Sequence, residues 1–373
     1  MIRILTSVEI PTDNPKYLRS SYDDGSYKDY PIGKERTIIK DDKTYYLIED
    51  ENKEIEIKER LGTGNFFRCI FLIEVDFSGK IFNGNKDGKV DFSETVFRKN
   101  ANFSKSSFDG IIDFSSATFI KNADFEMAEF TYSVKFNNAL FSCSTSFLGG
   151  TFKGEAFFIK ALFINEVNFI EVIFTKTIYL DCIQKCIFDF NFAKIDRLVI
   201  ASKDIITINL KSTTVNKIDY GNTKFSADNR ETFLTLKYVA LKQHDQIKAL
   251  EFHTQEYQSH YEKLNWNNAD KWILGFENSI SYFATNVGRA IGWLVFLIVF
   301  FYFFIFMLLG GGDANMHDFV RFTAPISYDL TTIFGNKITV GFFVGLLFIL
   351  YKILQFVMIY EVVKSFRKFS RTL

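Results

Sequence analysis

From Phe92 to Phe174 phenylalanine recurs at gaps of five and six residues in strict alternation, and the position two before each ring is small or β-branched, as at Ala101, Ala123, Ala128 and Val134. A helix repeats its faces every 3.6 residues and a strand every two, so neither period accounts for the pattern. A large and a small position recurring in an eleven-residue period mark a unit that cannot bury its apolar side alone and must stack on copies of itself. Two periods make a coil of twenty-two residues, with one extra, bulge-like residue on each of two opposite edges. The same beat occurs at Phe66, Phe71, Phe77 and Phe82, then breaks at NGNKDGK, whose composition predicts a protruding turn. With coils about 4.8 Å apart, the five or six coils expected between Phe66 and about residue 195 predict a rod of roughly 25 to 30 Å. After Leu180 the beat fades into DRLVIASKDIITINLKSTTVNKIDY, whose β-branched runs predict distorted final coils or a capping sheet.

The stretches ADFEMAEFTYS and ANFSKSSFDGI resemble the pentapeptide-repeat family, in which a small residue stands two before a central Leu or Phe. The resemblance implies a right-handed quadrilateral β-helix with both positions pointing inward. Alternation of five and six departs from the family's uniform five.

Helical spacing replaces the beat after Asn229: Phe233, Leu236, Val239, Ala240, Ala249, Leu250, Phe252, Tyr257 and Tyr261 recur at three- and four-residue steps. Asp228 or Asn229 is the expected N-cap, with Glu231 in the first turn. Ala290–Leu309 is then free of charge over twenty residues, enough to cross a hydrocarbon core of about 30 Å. Ile338–Tyr360 is a second such run, carrying Lys352 and Gln355. Lys271 and Arg289 before the first run, and Lys364, Arg367, Lys368 and Arg371 after the second, predict that both ends are cytoplasmic. The segments RETFLTLKYVALKQHDQIKALEFHTQEY, SISYFATNVGRAIGWL and IYEVVKSFRKFSRTL are similar to the post-repeat helix and the span entry and exit of bacterial membrane-bound pentapeptide-repeat proteins. That resemblance implies a two-span protein of the inner membrane with a cytosolic β-helix.

The expected fold is therefore a mixed β and α membrane protein. Its parts are a β-rich cap (1–61), a β-helix (62–200), terminal coils or capping strands (201–228), a cytosolic helical linker (229–286), a two-span domain (287–363) and a basic tail (364–373).

Charge names no partner, because 44 Lys and Arg balance 44 Asp and Glu. Some soluble pentapeptide-repeat proteins are thought to imitate DNA with an acidic rod, but sixteen acids and fourteen bases between Glu74 and Arg197 supply no such field. Nucleic acid is not an expected partner. The N-terminus MIRILTSVEIPTDNPKYLRSSYDDG has no apolar stretch of signal-peptide type, and the scattered Cys69, Cys143, Cys182 and Cys186 fit reduced thiols. Cys182 and Cys186 read as small inward positions rather than metal ligands. His253, Glu256 and His260 share a helix face but lack a second ligand cluster, so neither metal nor cofactor is expected. No phosphate-binding glycine loop or nucleophile motif occurs, and enzymatic activity is not expected.

The second apolar run carries the more informative pattern. Gly341, Gly345, Phe348, Lys352, Gln355 and Ile359 fall on one stripe. The glycine pair would admit a close helix. Lys352 costs about 2.5 to 3.5 kcal/mol facing lipid, which leaves two readings: it snorkels to the interface, or it faces a pore or a helix interface. In the connection, TTIFGNK resembles the filter loop of two-span cation channels without its Tyr-Gly, making Thr331, Thr332 and Gly335 candidate extracellular pore-loop residues. Two spans cannot enclose a pathway. The expectation is thus a homo-oligomeric pore or channel-like assembly in the lipid bilayer, whose rod binds an unidentified protein or small molecule; a non-conducting membrane-anchored scaffold is the alternative.

Overall fold

The computed structural model describes residues 4–33, 36–50, 53–84, 87–182, 186–310, 316–325, 330–334 and 341–370. It divides into two compact units, Met1–Asp245 and Gln246–Leu373.

The first unit opens with an antiparallel sheet of Leu5–Glu9, Tyr17–Tyr22 and Tyr27–Pro31, followed by the hairpin Thr37–Lys40/Lys43–Ile48. Asp41 and Asp42 both take positive φ (49° and 60°) at its tip, as a type I′ turn requires. The second hairpin strand pairs in parallel with Cys69–Phe71 and so covers the open end of the rod. Helix α1 (Lys53–Thr63) connects the two. The three-stranded sheet packs Leu5, Val8, Leu18 and Tyr30 with Ile70, Val96 and Ile120 of the rod.

The rod is a β-solenoid. Among the described residues one of its faces is a stack of eight parallel strands, from Val75–Asp76 to Phe225–Ser226, or seven steps spanning roughly 34 Å. It is longer than the aromatic beat predicts because the β-branched tail continues the same winding with shorter coils. Paired residues are 22 apart at Ser107 and Glu129, 21 at Ile173 and Lys194, 20 at Lys194 and Thr214, and 19 at Ile206 and Phe225. Residues 81 to 90 contain the inserted turn, and there the separation changes from 26 (Ile81 to Ser107) to 22 (Val90 to Ile112).

Inside, the rings form continuous columns. Phe66, Phe92, Phe114, Phe136 and Phe158 stack with centroids 4.4 to 5.0 Å apart and planes within 9°. Neighbouring columns meet edge to face, as Phe103 does Phe92 (5.5 Å, 88°). Both are favourable arrangements of the ring quadrupole. Ala117, Ala123 and Ala128 are buried between them, small because a coil leaves no room for eight large side chains.

Corners of the two lengths differ in kind. In the five-residue steps the second residue after Phe has positive φ, at Glu94, Lys105, Ser116, Met127 and Asn138, and the third donates its N–H back to the Phe carbonyl. That is a type II turn. At most of these corners an Asp or Asn just before the ring accepts from the N–H just after it, as Asp91 from Ser93 (2.8 Å) and Asn102 from Ser104 (2.9 Å). The described six-residue steps contain no such left-handed residue, so the extra residue replaces the type II turn. At one of them a Cβ on Gly154 would lie 2.2 Å from the Tyr132 carbonyl carbon of the preceding coil. Only glycine lets these coils approach.

Cys69 and Cys186 occupy buried small positions two before Phe71 and Phe188, and burial pushes the Cys69 thiol up to about 12. The Cys182 side chain lies outside the described residues.

Helix α2 (Arg230–Lys242) closes the far end, with Asn229 as N-cap accepting from Thr232 N–H (2.8 Å). The Gln243 amide acts like a strand, accepting from Ile218 N–H (2.8 Å) and donating to Ile218 O (3.0 Å). This helix is a lid of the rod, not part of a linker; sequence periodicity cannot tell an apolar stripe that covers a solenoid from one that faces another helix.

The second unit contains helices α3 (Gln246–Lys263), α4 (Ala269–Ser281), α5 (Val287–Leu308), α6 (Met316–Thr323), α7 (Leu330–Phe334) and α8 (Phe342–Ser370). Among the described residues, Val287–Leu308 and Phe342–Phe366 are long and apolar enough to cross a membrane. The second helix starts after Gly341 and runs past Tyr360, because Glu361 and Lys364 have partners that stabilise the extension. Ile338–Val340 lie outside the described residues.

Candidate functional site

Between the apolar helices the chain turns back on itself. Phe322 of α6 and Leu330 and Ile333 of α7 are buried with Tyr302 and Ile305 of α5 and Tyr351 of α8. The Phe322 and Tyr351 rings stack at 4.5 Å and 16°, and Tyr302 meets Phe319 edge to face at 5.0 Å.

A helix ends with carbonyls that have no partner within it, and the C-terminus of α6 is pointed at α8. The Tyr351 hydroxyl donates to Phe322 O (3.1 Å) and Gln355 Nε2 to Thr323 O (2.7 Å). Lys352 Nζ donates to Phe322 O (3.2 Å) and Ala324 O (2.6 Å). An ammonium suits the negative end of the helix, and it lies within 5.3 Å of the Phe348 and Tyr351 ring centroids, close enough for cation–π attraction. Ten residues after Phe342, Lys352 is about 15 Å along α8, half of a hydrocarbon core of about 30 Å.

Lys352 thus reaches the end of α6. Its head is turned into its own chain, joined by Phe348 and Gln355 on the stripe. Ile359, further along, is half-buried. Gly341 precedes α8, accepts from Gly345 N–H (3.1 Å) and has open space where a Cβ would stand. The glycine pair thus straddles the helix start. In the proposed filter loop, Thr331 is half-buried within helix α7, which forms because Leu330 and Ile333 share one apolar face. The Thr332 side chain and Gly335 lie outside the described residues.

A second polar cluster went unseen in the sequence. The buried Ser281 hydroxyl at the end of α4 donates to Glu361 Oε2 of α8 (2.9 Å) and accepts from Ala284 N–H (2.8 Å). Lys364 pairs with Glu277 and lies 3.7 Å from Glu361. The i, i+3 spacing of Glu361 and Lys364 was legible, but nothing local points to Ser281, eighty residues away. Tyr282, Phe283 and Ala284 then take φ of 50°, 56° and 60°, a left-handed turn that costs about 1 to 2 kcal/mol per residue and is offset by burial of Phe283 and Ala284. On α3, His253 Nδ1 is 3.9 Å from Glu256 Oε2, and the His253 ring meets Tyr257 edge to face at 4.5 Å. Among the described residues no group of three potential metal ligands converges.

The rod and the two apolar helices define a class: a β-solenoid followed by a unit with two candidate membrane spans. The family described as pentapeptide repeats (9 copies) matches residues 87–128, within the rod. No curated protein and no solved structure matches the chain.

Proposed function

We propose that the chain assembles with further copies of itself into a pore or channel-like membrane protein, with the solenoid as a cytosolic platform that binds a protein or small molecule. The observation that carries this reading is the α6 terminus seated about halfway along α8. A tether needs only two apolar helices. A helix end at membrane depth persists where protein buries it or where it lines a water-filled cavity, and the end of α6, bonded by Tyr351, Lys352 and Gln355, supports that reading. Two helices cannot surround a pathway, and both expose long apolar faces, including Phe296, Phe300 and Phe304 on α5 and Leu346, Ile349 and Ile353 on α8. Copies packed on these faces would set the inturned segments around an axis. Lys352 then holds the lining in place instead of forming a ring of charge. The basic flanks support cytoplasmic termini in the inner membrane.

The test is particle mass in detergent together with conductance in planar bilayers. An oligomer whose conductance is altered by Lys352→Met is expected. A monomer, or an oligomer silent in every salt tried, would replace the pore by a scaffold.

A further inference from the structure

The chain has three tryptophans, and all three fall between residues 266 and 293, where the second unit enters its first apolar helix. At 100° per residue, Trp272, Ile273 and Phe276 share roughly a quarter of the circumference of α4. They are 65%, 61% and 43% exposed. The other side of α4 is spent on its own unit. Leu274 is buried there, Ser281 meets Glu361, and Lys271 donates to Tyr261 O (2.5 Å) with its head 4.0 Å from the Tyr261 ring centroid. The exposed face ends at Ile280, two turns beyond Trp272 on the same arc, which is buried with Ala290 and Met358.

The exposed face is also anchored at both ends. Trp272 Nε1 donates to Trp266 O (3.0 Å), and Trp293 Nε1 of α5 donates to Ser279 O of α4 (3.1 Å). Both indoles have satisfied their polar atom with backbone and leave their apolar bodies outward. The second bond matters most, because it joins the α4 face to the exposed run Trp293, Phe296, Phe300 and Phe304 on the first apolar helix. That run faces hydrocarbon if α5 crosses the membrane. A face continuous with its end meets the boundary between headgroups and acyl chains, the level at which tryptophan is enriched.

We propose that α4 is an interfacial helix lying in the lipid surface, with Trp272, Ile273 and Phe276 inserted among the upper acyl chains. This rests on α5 being a span. The occupant is the same bilayer that α5 crosses: amphipathic helices of this kind bury their apolar face about 5 to 10 Å into that boundary. Lys263 and Arg289, both exposed, flank the region and suit anionic headgroups. Embedded in this way, α4 would carry motion of the lipid surface to α8 through Ser281 and Glu361.

The experiment uses the full chain in nanodiscs of phosphatidylcholine and phosphatidylglycerol, with lipids brominated high in the acyl chains. Variants keep one tryptophan each, the others being changed to Phe. Trp272 emission should fall about twofold or more in brominated lipid, as expected for a ring at that depth, and respond little to aqueous iodide. Quenching by iodide alone would place α4 in water and overturn the proposal. Quenching by neither would mean that a second copy covers the face, with the same consequence. The Trp293 variant separates the underlying reading: if it is quenched while Trp272 is not, only the interfacial helix fails, and if neither is quenched the span fails too. Should a variant not fold, the parent and one substitution suffice. The parent's quenched share of emission in brominated lipid should fall on Trp272→Phe, and an unchanged share would place Trp272 outside the lipid and refute the proposal.

Discussion

The rod and the helical second unit satisfy the same requirements by opposite means. In the rod every coil sees nearly the same surroundings: a ring stacks on rings about one coil away, and an Asp or Asn closes most type II corners with a local bond. In the second unit each polar problem is solved once. The end of α6 is met by Tyr351, Lys352 and Gln355, and the end of α4 by Glu361. Repetition distributes stability over many equivalent sites, whereas unique contacts concentrate it. The two regions should therefore fail differently.

The largest effect is expected at Phe130, stacked on Phe108 (4.9 Å) and Phe152 (4.5 Å). Phe130→Asp buries a carboxylate without a partner and should abolish the β-sheet signal in circular dichroism. Phe130→Ala should cost about 3 to 5 kcal/mol in denaturant unfolding, and Phe103→Ala and Phe136→Ala should match it. Unequal values would break the equivalence of the coils. Lys121→Glu, on an exposed position, should change stability by no more than about 0.5 kcal/mol.

Lys352→Met comes next. It removes the charged bonds to Phe322 O and Ala324 O, a loss of about 1.5 to 3 kcal/mol, and should free α6 while the rod melts unchanged. A cysteine at Thr323 should then react faster with a water-soluble maleimide. An unchanged labelling rate would show that Tyr351 and Gln355 hold the helix unaided. Lys352→Glu should unseat α6 in the same way, because a carboxylate facing those carbonyls repels them.

Ser281→Ala should cost about 1 kcal/mol, seen in the melting of detergent-solubilised protein. Combined with Glu361→Leu, which leaves no acceptor for the hydroxyl, it should be non-additive, since one bond is removed twice. Additivity would make the contact incidental.

The smallest effect concerns Glu94, at a rod corner. Burial opposes its ionisation, but hydrogen bonds from Arg68 and Lys43 hold its carboxyl below its ordinary 4.5. A lowered folded-state value means that the stabilisation is complete at neutral pH and is lost as pH falls below 4.5 and through the folded value. Glu94→Gln should remove that part of the acid sensitivity at a cost below about 1 kcal/mol at pH 7. An identical acid profile would exclude Glu94 as a source.

Much of the rod was legible in the sequence for the reason that makes it uniform. Since each coil stacks on one like itself, the inward positions are dictated by local spacing, and Phe, Ala and Val alone identify them. An Asp or Asn stands before many of the rings that open a type II corner, but Lys135, Ser146 and Phe157 hold that place elsewhere, so the corners follow from the five-residue step itself. The coils beyond residue 195 were harder to read because Leu, Ile and Val replace the rings while the coil shortens, so the beat is lost although the pairing is not. The two apolar runs were legible because hydrocarbon imposes a length and excludes charge.

Tertiary structure alone decided where Lys352 points and what Ser281 and Glu361 meet. Spacing placed Phe348, Lys352 and Gln355 on one stripe, but a stripe does not say what faces it. Lipid, water, another copy and the chain's own short helix all give the same pattern. Its occupant is set by α6, some thirty residues earlier, whose carbonyls need donors only once the connection has folded back between the apolar helices. A repeat carries its partner in its own period; a unique contact depends on chain closure, which no local pattern records.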